Sequence, residues 1–165
     1  GEKMAVLHPG AGYPAKRWKL DRYGALAKWL AEKGGYRIVL IGSEDEKSLA
    51  TEVIRAAGNL GVLNLCGRNS VRELMAVLSR ADLMIGNDSG PAHMAAALGT
   101  RTVALFSGTN NVIEWAPVGA RTCVVRNEVP CSPCSLKECV DYNHECMENL
   151  TLETVKQTVQ ICKSL

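Results

Sequence analysis

Short apolar runs alternate with segments of helical periodicity along almost the whole chain. The runs lie at 4–7, 36–42, 62–67, 81–86, 102–107 and 122–126. Because apolar residues occupy successive positions in each run, both faces of these strands need cover, as in a parallel sheet with helices on both sides. The pattern predicts an α/β fold with a doubly wound, mostly parallel, Rossmann-like sheet.

Helix signals stand between the predicted strands. Ser43–Glu46 and Ser70–Glu73 have the pattern of a capping box, in which the serine and the glutamate satisfy each other's free backbone amides. Gly58 is placed to end the first of these helices, and residues 151–163 form a terminal helix with one apolar face. The stretches expected to be irregular are 8–20, 107–119 and 126–150.

Length and composition favour one globular domain over residues 1–165. Of the 165 residues, 47% are hydrophobic and 22% charged, and the net charge of +2 is too small to indicate a nucleic-acid partner. No apolar run approaches the roughly 20 residues needed to cross a bilayer, and the first residues do not resemble a signal peptide. We therefore expect a cytoplasmic domain, with a cysteine-rich loop at 126–150 and the terminal helix after it.

The segment 86–99, GNDSGPAHMAAALG, joins a predicted strand to an alanine-rich helix. Ser89 or Gly90 can cap that helix, whose free amides and positive dipole end form a ready site for phosphate. Asp88 would repel phosphate and is better suited to sugar hydroxyls, while His93 lies in the first helical turn, within reach of phosphate or hydroxyl oxygens. The alternative is a simple turn and cap with a packed histidine.

A second candidate segment, HPGAGYPAKRW at 8–18, follows the first strand. Gly10, Ala11 and Gly12 allow close approach of a ligand to the backbone, as in phosphate-binding loops, and Lys16 supplies a cation for a diphosphate. The segment is neither a Walker motif nor a GxGxxG turn followed at once by a helix. The alternative is a solvated loop with exposed cations.

A third candidate is the acidic segment GSEDE, which follows the second strand. An acidic residue at this place in nucleotide-binding sheets often holds ribose hydroxyls, and Glu44 is the residue we select for that role. Acidic residues are also favoured in the first turn of any helix, so a purely structural role for Glu44 stays open.

Together these segments carry a resemblance to a known family. HPGAG…KRW, GSEDE, GNDSGPAHMAAALGTRTVALFSGT, WAPVG and CSPC…C…HECM are similar to the C-terminal half of glycosyltransferase family 9. Its best-known members are ADP-heptose:lipopolysaccharide heptosyltransferases, and the cysteine-rich segment most resembles the heptosyltransferase II branch. The resemblance runs over nearly the whole chain, and the D-S-G-P-x-H block is its most specific part.

The resemblance implies the donor-binding half of a GT-B enzyme, which has two Rossmann-like domains with the active site between them. It implies an inverting, metal-independent transfer of heptose from ADP-heptose to the lipopolysaccharide inner core, peripherally at the inner-membrane face. The acceptor and the general base, a carboxylate, belong to the N-terminal domain. Since that domain is not in this chain, we expect the 165 residues alone to be inactive.

The resemblance also assigns roles to particular residues. It implies that Lys16 pairs with the donor diphosphate, Glu44 binds the ribose, Asp88 faces the heptose and His93 stands near phosphate and sugar, which makes Lys16, Asp88 and His93 the candidate catalytic residues. The other implied donor contacts come from Gly10, Ala11, Gly12, Ser89 and Gly90. Some relatives have threonines where this first loop has glycine and alanine, so side-chain phosphate contacts are not expected there.

The seven cysteines fall into two groups. Three lie in predicted strands or a helix and are expected to be core residues: Cys66, Cys123 and Cys162. Four follow the spacing C-x2-C-x4-C-x6-C, with His144 nearby: Cys131, Cys134, Cys139 and Cys146. One C-x2-C pair is present but not the second pair usual in zinc sites, so bound zinc, disulfides formed on handling and reduced packed thiols all stay open.

Two other functions are compatible with the sequence. One is a different GT-B glycosyltransferase or a sugar-nucleotide epimerase that uses the same cleft with another nucleotide. The other is a non-catalytic nucleotide-binding or redox module in which the cysteine segment is the working part. Binding of different nucleotides discriminates the first alternative, and thiol titration read against ligand affinity discriminates the second.

Overall fold

The computed structural model describes residues 2–58 and 60–164, so positions 1, 59 and 165 of the predicted domain lie outside the described residues. Six strands form one sheet in the order β3-β2-β1-β4-β5-β6, and every pairing is parallel. The strands are β1 Lys3–His8, β2 Tyr36–Leu40, β3 Leu63–Asn64, β4 Leu83–Asn87, β5 Thr102–Phe106 and β6 Thr122–Arg126. The predicted doubly wound, Rossmann-like fold is confirmed, with a wholly parallel sheet.

Helices connect the strands and cover both faces of the sheet. They are α1 Leu20–Gly34, α2 Lys47–Ala57, α3 Val71–Arg80, α4 Gly90–Ala97, α5 Val112–Trp115, α6 Glu145–Glu148 and α7 Leu152–Lys163. Short 3-10 turns lie at Pro14–Lys16 and Glu44–Glu46. The predicted end of α2 at Gly58 is confirmed, and Gly58 takes the positive φ of 77° that favours glycine.

Two apolar layers hold these helices on the sheet. On one face, α1 packs over β1 and β2, α2 packs beside α1, and α7 packs over β5 and β6, through fully buried residues such as Leu26, Val53 and Val159. On the other face, α3 and α4 pack over β4 through Leu78 and Ala95. Both faces of the central strands are therefore buried, which is why their sequences are apolar at successive positions.

The chain reverses its winding direction at the centre of the sheet. Strand β1 pairs with β2 on one side and with β4 on the other, and His8 at its end lies opposite Gly86. The loops that follow β1 and β4 therefore leave the same edge of the sheet side by side. This is the switch point at which open parallel sheets bind ligands.

The structure differs from the sequence expectation at the sheet edge and in the loops. The predicted strand at 62–67 is reduced to the two residues of β3, because this edge strand has only β2 as a neighbour and soon leaves its ladder. The stretches expected to be irregular contain α5 and α6, each of four residues. Among the helices of residues 2–58 and 60–164, none combines the length and apolarity that a membrane span requires.

Candidate functional site

A cavity of about 380 Å³ opens at the carboxyl ends of β1, β2 and β4. The loops after these strands and the start of α3 form its wall. The lining residues are His8, Ala11, Gly12, Ile41, Gly42, Ser43, Glu46, Asn69, Ser70, Val71, Leu74, Ser89, Gly90 and Pro91. The cavity therefore lies at the switch point, between the segments that the sequence singled out.

Four of the predicted donor-binding residues line this cavity: Ala11, Gly12, Ser89 and Gly90. At Gly12 and Gly90, a Cβ atom would meet nothing within 4 Å, so the backbone at both positions is open to a ligand. Ser89 takes the N-cap position of α4, and Pro91 lies in the first turn. The helix therefore presents its positive dipole end to the cavity, as an anion site requires.

Asn87, at the end of β4, holds the first loop against the sheet. Its side chain is fully buried and its amide donates to the carbonyls of Pro9 and Gly10 at 2.9 and 3.0 Å. Its oxygen accepts from the backbone N–H of Trp18 at 3.1 Å and lies 3.2 Å from the Tyr23 hydroxyl. Both amide hydrogens and the oxygen of Asn87 are engaged, so both ends of the loop are fixed to β4.

The three candidate catalytic residues form one cluster beside the cavity. The Lys16 ammonium donates to Asp88 Oδ2 at 2.8 Å, and the Asn110 amide donates to the same oxygen at 2.7 Å. Nε2 of His93 lies 3.8 Å from the other carboxylate oxygen, and its side chain is 42% exposed. Asp88 is 5% exposed, so the ion pair with Lys16 compensates a carboxylate that is nearly removed from water.

The remaining two predicted residues lie outside the cavity lining. Gly10 lies beneath the cavity, and a Cβ atom there would come within 1.9 Å of the Glu46 carboxylate. Glu44 is exposed and pairs with Lys47, so its contribution to ribose binding stays a prediction. The adjacent cation Arg17 does not face the cavity, since it donates to the carbonyl of Ala11 at 3.1 Å and supports the loop from within.

A second buried network lies at the cavity floor, and the sequence did not reveal it. Nδ1 of His8 lies 3.0 Å from Ser89 Oγ, and Nε2 lies 3.2 Å from Glu46 Oε2. The same carboxylate oxygen accepts from the backbone N–H of Ser43 at 2.8 Å, one half of the predicted capping box. The His8 ring and Ser43 lower the pKa of Glu46 to about 2, against the opposing effect of burial.

Sequence signals for these missed residues existed but were weak. The capping-box pattern already required Glu46 to reach back toward Ser43, which turns its carboxylate toward the end of β2 and away from solvent. His8 is the last residue of β1, a position from which a side chain projects over the edge of the sheet. Asn110 has no local pattern, because its partner Asp88 lies 22 positions away.

The cysteine-rich loop supports the first loop. The Lys137 carbonyl accepts from Ala15 N–H at 3.0 Å, the His144 ring lies 2.7 Å from the Ala15 carbonyl, and Trp18 Nε1 donates to the Leu150 carbonyl at 2.7 Å. His144 is thus engaged with the backbone next to Lys16. The segment 126–150 therefore fixes the loop that carries the candidate lysine.

All seven thiols are free in the structure. Cys66 and Cys162 are buried as predicted, whereas Cys123 is partly buried. Burial raises the pKa of the Cys146 thiol, and the neighbouring thiols of the loop raise it further. Within residues 2–58 and 60–164, no three His, Cys, Asp or Glu side chains are arranged so that they could hold a metal ion.

Comparison with known proteins identifies the family. The model of glycosyltransferase family 9 (heptosyltransferase) matches residues 1–144. The chain belongs to glycosyltransferase family 9. The matched range contains the cavity, the Lys16–Asp88 cluster and most of the cysteine-rich loop.

The relatives of this family 9 domain are heptosyltransferases about twice its length. Lipooligosaccharide heptosyltransferase 2 of Campylobacter jejuni is 32% identical over 161 residues, which are 94% of this chain and 49% of that protein. Lipopolysaccharide heptosyltransferase 2 of Escherichia coli is 33% identical over 127 residues, which are 74% of this chain and 36% of that protein. The structure of the E. coli ADP-heptose lipopolysaccharide heptosyltransferase II superposes with a TM-score of 0.83 at 27% identity, over 98% of this chain and 46% of that one.

The lowered pKa of Glu46 predicts how stability of this family 9 domain depends on pH. Because the folded pKa of about 2 lies below the ordinary 4.5, ionised Glu46 stabilises the fold above pH 4.5, and that contribution is lost as the pH falls toward 2. Glu46→Gln should lower the free energy of unfolding at pH 7 by about 2 kcal/mol, discounted for partial exposure. Urea denaturation at pH 7 and pH 3 measures the difference, which should shrink at the lower pH.

Glu44→Gln is the matched control, since it removes an exposed carboxylate two positions away in the same turn. Its ion pair with Lys47 lies at the surface, so the change should be at most about 1 kcal/mol at either pH. Equal effects of the two substitutions would contradict the role assigned to the buried carboxylate.

Proposed function

We propose that this chain is the donor-binding half of a GT-B heptosyltransferase that transfers heptose from ADP-heptose to the lipopolysaccharide inner core. One observation carries the proposal: the start of α4, the open backbone of the first loop and the Lys16–Asp88 pair converge at the switch point of the sheet. Because the acceptor is a membrane lipid, the complete enzyme works peripherally at the inner-membrane face.

The diphosphate of the donor fits the start of α4. Gly90, next to the N-cap Ser89, offers an open backbone there, and Gly12 offers a second open backbone across the cavity. Lys16 carries three donor hydrogens, so it can hold Asp88 and a phosphate oxygen at the same time. The lysine thereby brings a phosphate next to a carboxylate that would otherwise repel it.

The nucleoside fits the other end of the cavity. Glu46 lines the cavity, its Oε2 is occupied by His8 and Ser43, and its Oε1, which lies against Gly10, is the oxygen we assign as an acceptor for ribose hydroxyls. We therefore assign the ribose to Glu46, where the sequence had selected Glu44. Val71 and Leu74 supply apolar surface for the face of a base.

The sugar lies on the Asp88 side in this assignment. Asn110 and Lys16 fix one carboxylate oxygen, so the other faces His93 and is free to accept from heptose hydroxyls. The reaction is a single displacement with inversion: the acceptor hydroxyl gives its proton to the general base of the acceptor half, its oxygen bonds to the anomeric carbon, the bond to phosphate breaks and ADP leaves. Lys16 and the α4 amides stabilise the charge that develops on the leaving diphosphate, without a metal ion.

Nucleotide preference tests the proposal. The chain should bind ADP measurably and more tightly than UDP in isothermal titration calorimetry, because the cavity joins a carboxylate for ribose, an anion site and apolar surface for a purine. UDP affinity equal to or above that for ADP would indicate a different GT-B glycosyltransferase or an epimerase.

Substitution of Lys16 tests the diphosphate contact. Lys16→Ala should weaken ADP binding by about 1–3 kcal/mol, the range for loss of a charged hydrogen-bond partner. Lys19→Ala is the matched control, because Lys19 lies three positions away in an exposed ion pair with Glu148. The control should bind ADP as the wild type does. An unchanged ADP affinity of the Lys16→Ala variant in calorimetry would indicate that Lys16 only stabilises the loop.

The proposed assignment of donor binding to this chain and acceptor binding to the other half leads to a further prediction. Acceptor-dependent release of ADP from ADP-heptose should be absent for this chain and present for a protein that also has the acceptor half, because positioning of the acceptor and its general base come from that half. In the two-domain protein, Asp88→Asn and His93→Gln should lower turnover and weaken donor binding. Turnover by the 165 residues near the two-domain rate would contradict this division.

A further inference from the structure

Asp88 lies between two loops that come from both neighbours of its strand. Strand β4, which Asp88 follows, pairs with β1 on one side and with β5 on the other. Lys16, on the loop after β1, and Asn110, on the loop after β5, both donate to Asp88 Oδ2, at 2.8 and 2.7 Å. One of these two donors is an ammonium and the other is a neutral amide. The carboxylate therefore has two donors of different charge on the same oxygen.

The loop that carries Asn110 is fixed by its own hydrogen bonds. The Ser107 hydroxyl donates to Thr109 Oγ1 at 2.8 Å and accepts from the backbone N–H of Thr109 at 3.2 Å. Both residues are buried, although they lie beyond the end of β5. The turn that leads from β5 to Asn110 is therefore fixed by the protein itself.

The cysteine-rich loop joins the two loops that supply these donors. The carbonyl of Thr109 accepts from the backbone N–H of Ser135 at 3.0 Å, and the carbonyl of Lys137 accepts from the backbone N–H of Ala15 at 3.0 Å. Thr109 and Ala15 each directly precede a residue that donates to Asp88. One short segment of the cysteine-rich loop thus contacts the backbone next to both donors and sets the distance between them.

We infer that Asn110 is a positioning residue that keeps the Asp88 carboxylate in place when Lys16 turns to the diphosphate of the donor. The inference rests on the proposed donor-binding function. Asp88 is 5% exposed, so its charge needs fixed partners, and Lys16 is one of them. A diphosphate competes with Asp88 for the same ammonium. The amide of Asn110 keeps a hydrogen bond to the carboxylate and thereby lowers its demand on the lysine.

A neutral donor suits this role better than a charged one. The Asn110 amide compensates the carboxylate without attracting the phosphates away from the start of α4, and it does not retain Lys16 as an acidic side chain would. Because both donors share Oδ2, the other oxygen keeps its direction when the lysine moves. That oxygen lies 3.8 Å from Nε2 of His93, on the side of the proposed heptose site.

ADP is the probe for this role, because it has the diphosphate and lacks the heptose, so that contacts of Asp88 with the sugar do not enter. In calorimetry, Asn110→Ala should bind ADP about ten-fold more weakly than the wild type, since the carboxylate then depends on Lys16 alone. Asn111→Ala is the matched control, because the Asn111 side chain caps α5 and contacts Glu114. The control should stay within about two-fold of the wild type.

Asn110→Asp separates the hydrogen bond from the space that the side chain fills. Aspartate has nearly the shape of asparagine, but it places a second carboxylate against Asp88 where a donor had been. It should weaken ADP binding about thirty-fold, more than Asn110→Ala does, because two carboxylates then hold Lys16. A side chain that only fills space in its loop would give the opposite order, and that order would overturn the inference.

A double-mutant cycle tests whether Asn110 acts through Asp88. In an Asp88→Asn background the carboxylate that competes for Lys16 is gone, so Asn110→Ala should change the affinity for ADP by less than about two-fold. Equal losses of affinity in the two backgrounds would mean that Asn110 contacts the ligand itself or supports the fold. Either meaning would overturn the positioning role.

Thermal unfolding verifies that each variant is folded, and if Asn110→Asp does not fold, Asn110→Ala and the cycle still decide. A chain whose ADP affinity falls with Lys16→Ala but not with Asn110→Ala would overturn the positioning role and leave the proposed function intact. A wild-type chain that does not bind ADP would overturn the proposed function, and the positioning role with it.

Discussion

The geometry of the site depends on the hydrogen bonds that the Asn87 side chain makes to the loop after β1. A parallel sheet brings the ends of β1 and β4 together, but it does not by itself fix the loop that leaves β1. The buried amide of Asn87 ties both the beginning of that loop, at Pro9 and Gly10, and its end, at Trp18, to the last residue of β4. The intervening residues are thereby held over the sheet edge. A shorter or charged side chain would leave buried carbonyls and an N–H without partners, at a cost of about 1–3 kcal/mol each.

Two carboxylates have to be accommodated at the proposed phosphate site. Asp88 is nearly buried and Glu46 is partly buried, and each has a partner from the β1 side of the switch point, the Lys16 ammonium and the His8 ring. In both pairs, β1 or its loop supplies the partner, and the neighbouring strand ends supply the carboxylates. The Lys16 ammonium offsets the charge of Asp88, and the dipole of α4 adds positive potential. The proposed carboxylate contacts with ribose and sugar hydroxyls and the proposed anion site can therefore share one cleft.

The sequence predicts the fold well because the fold depends on periodicity, whereas the site depends on long-range pairing. The apolar runs predicted the bounds of five of the six strands closely, and only the range predicted for the edge strand, 62–67, was much longer than the strand observed. The segments around Ser89 and Gly12 could be predicted because they follow strand ends, where a doubly wound sheet binds its ligands. Glu44 and Glu46 could not be distinguished from the sequence, because both lie in one acidic turn and only the reach toward Ser43 separates them. His8 and Asn110 have partners far away in sequence, and no local pattern marks them.

Several polar side chains of the site are already hydrogen-bonded within the protein, so the groups left free indicate which ligand the proposed site favours. Asn87, His8 and Arg17 are engaged with the protein itself, so a ligand need not reorganise them. The groups left for a ligand are the Glu46 carboxylate at the cavity wall, the open backbone at Gly90 and the remaining donors of Lys16, which complement the diol and the diphosphate of the proposed donor. In the proposed reaction, such complementarity would stabilise the departing nucleotide, whose charge grows during transfer, more than it would assist an incoming hydroxyl. The proposal therefore assigns activation of the acceptor to the part that the longer relatives carry beyond the matched segment.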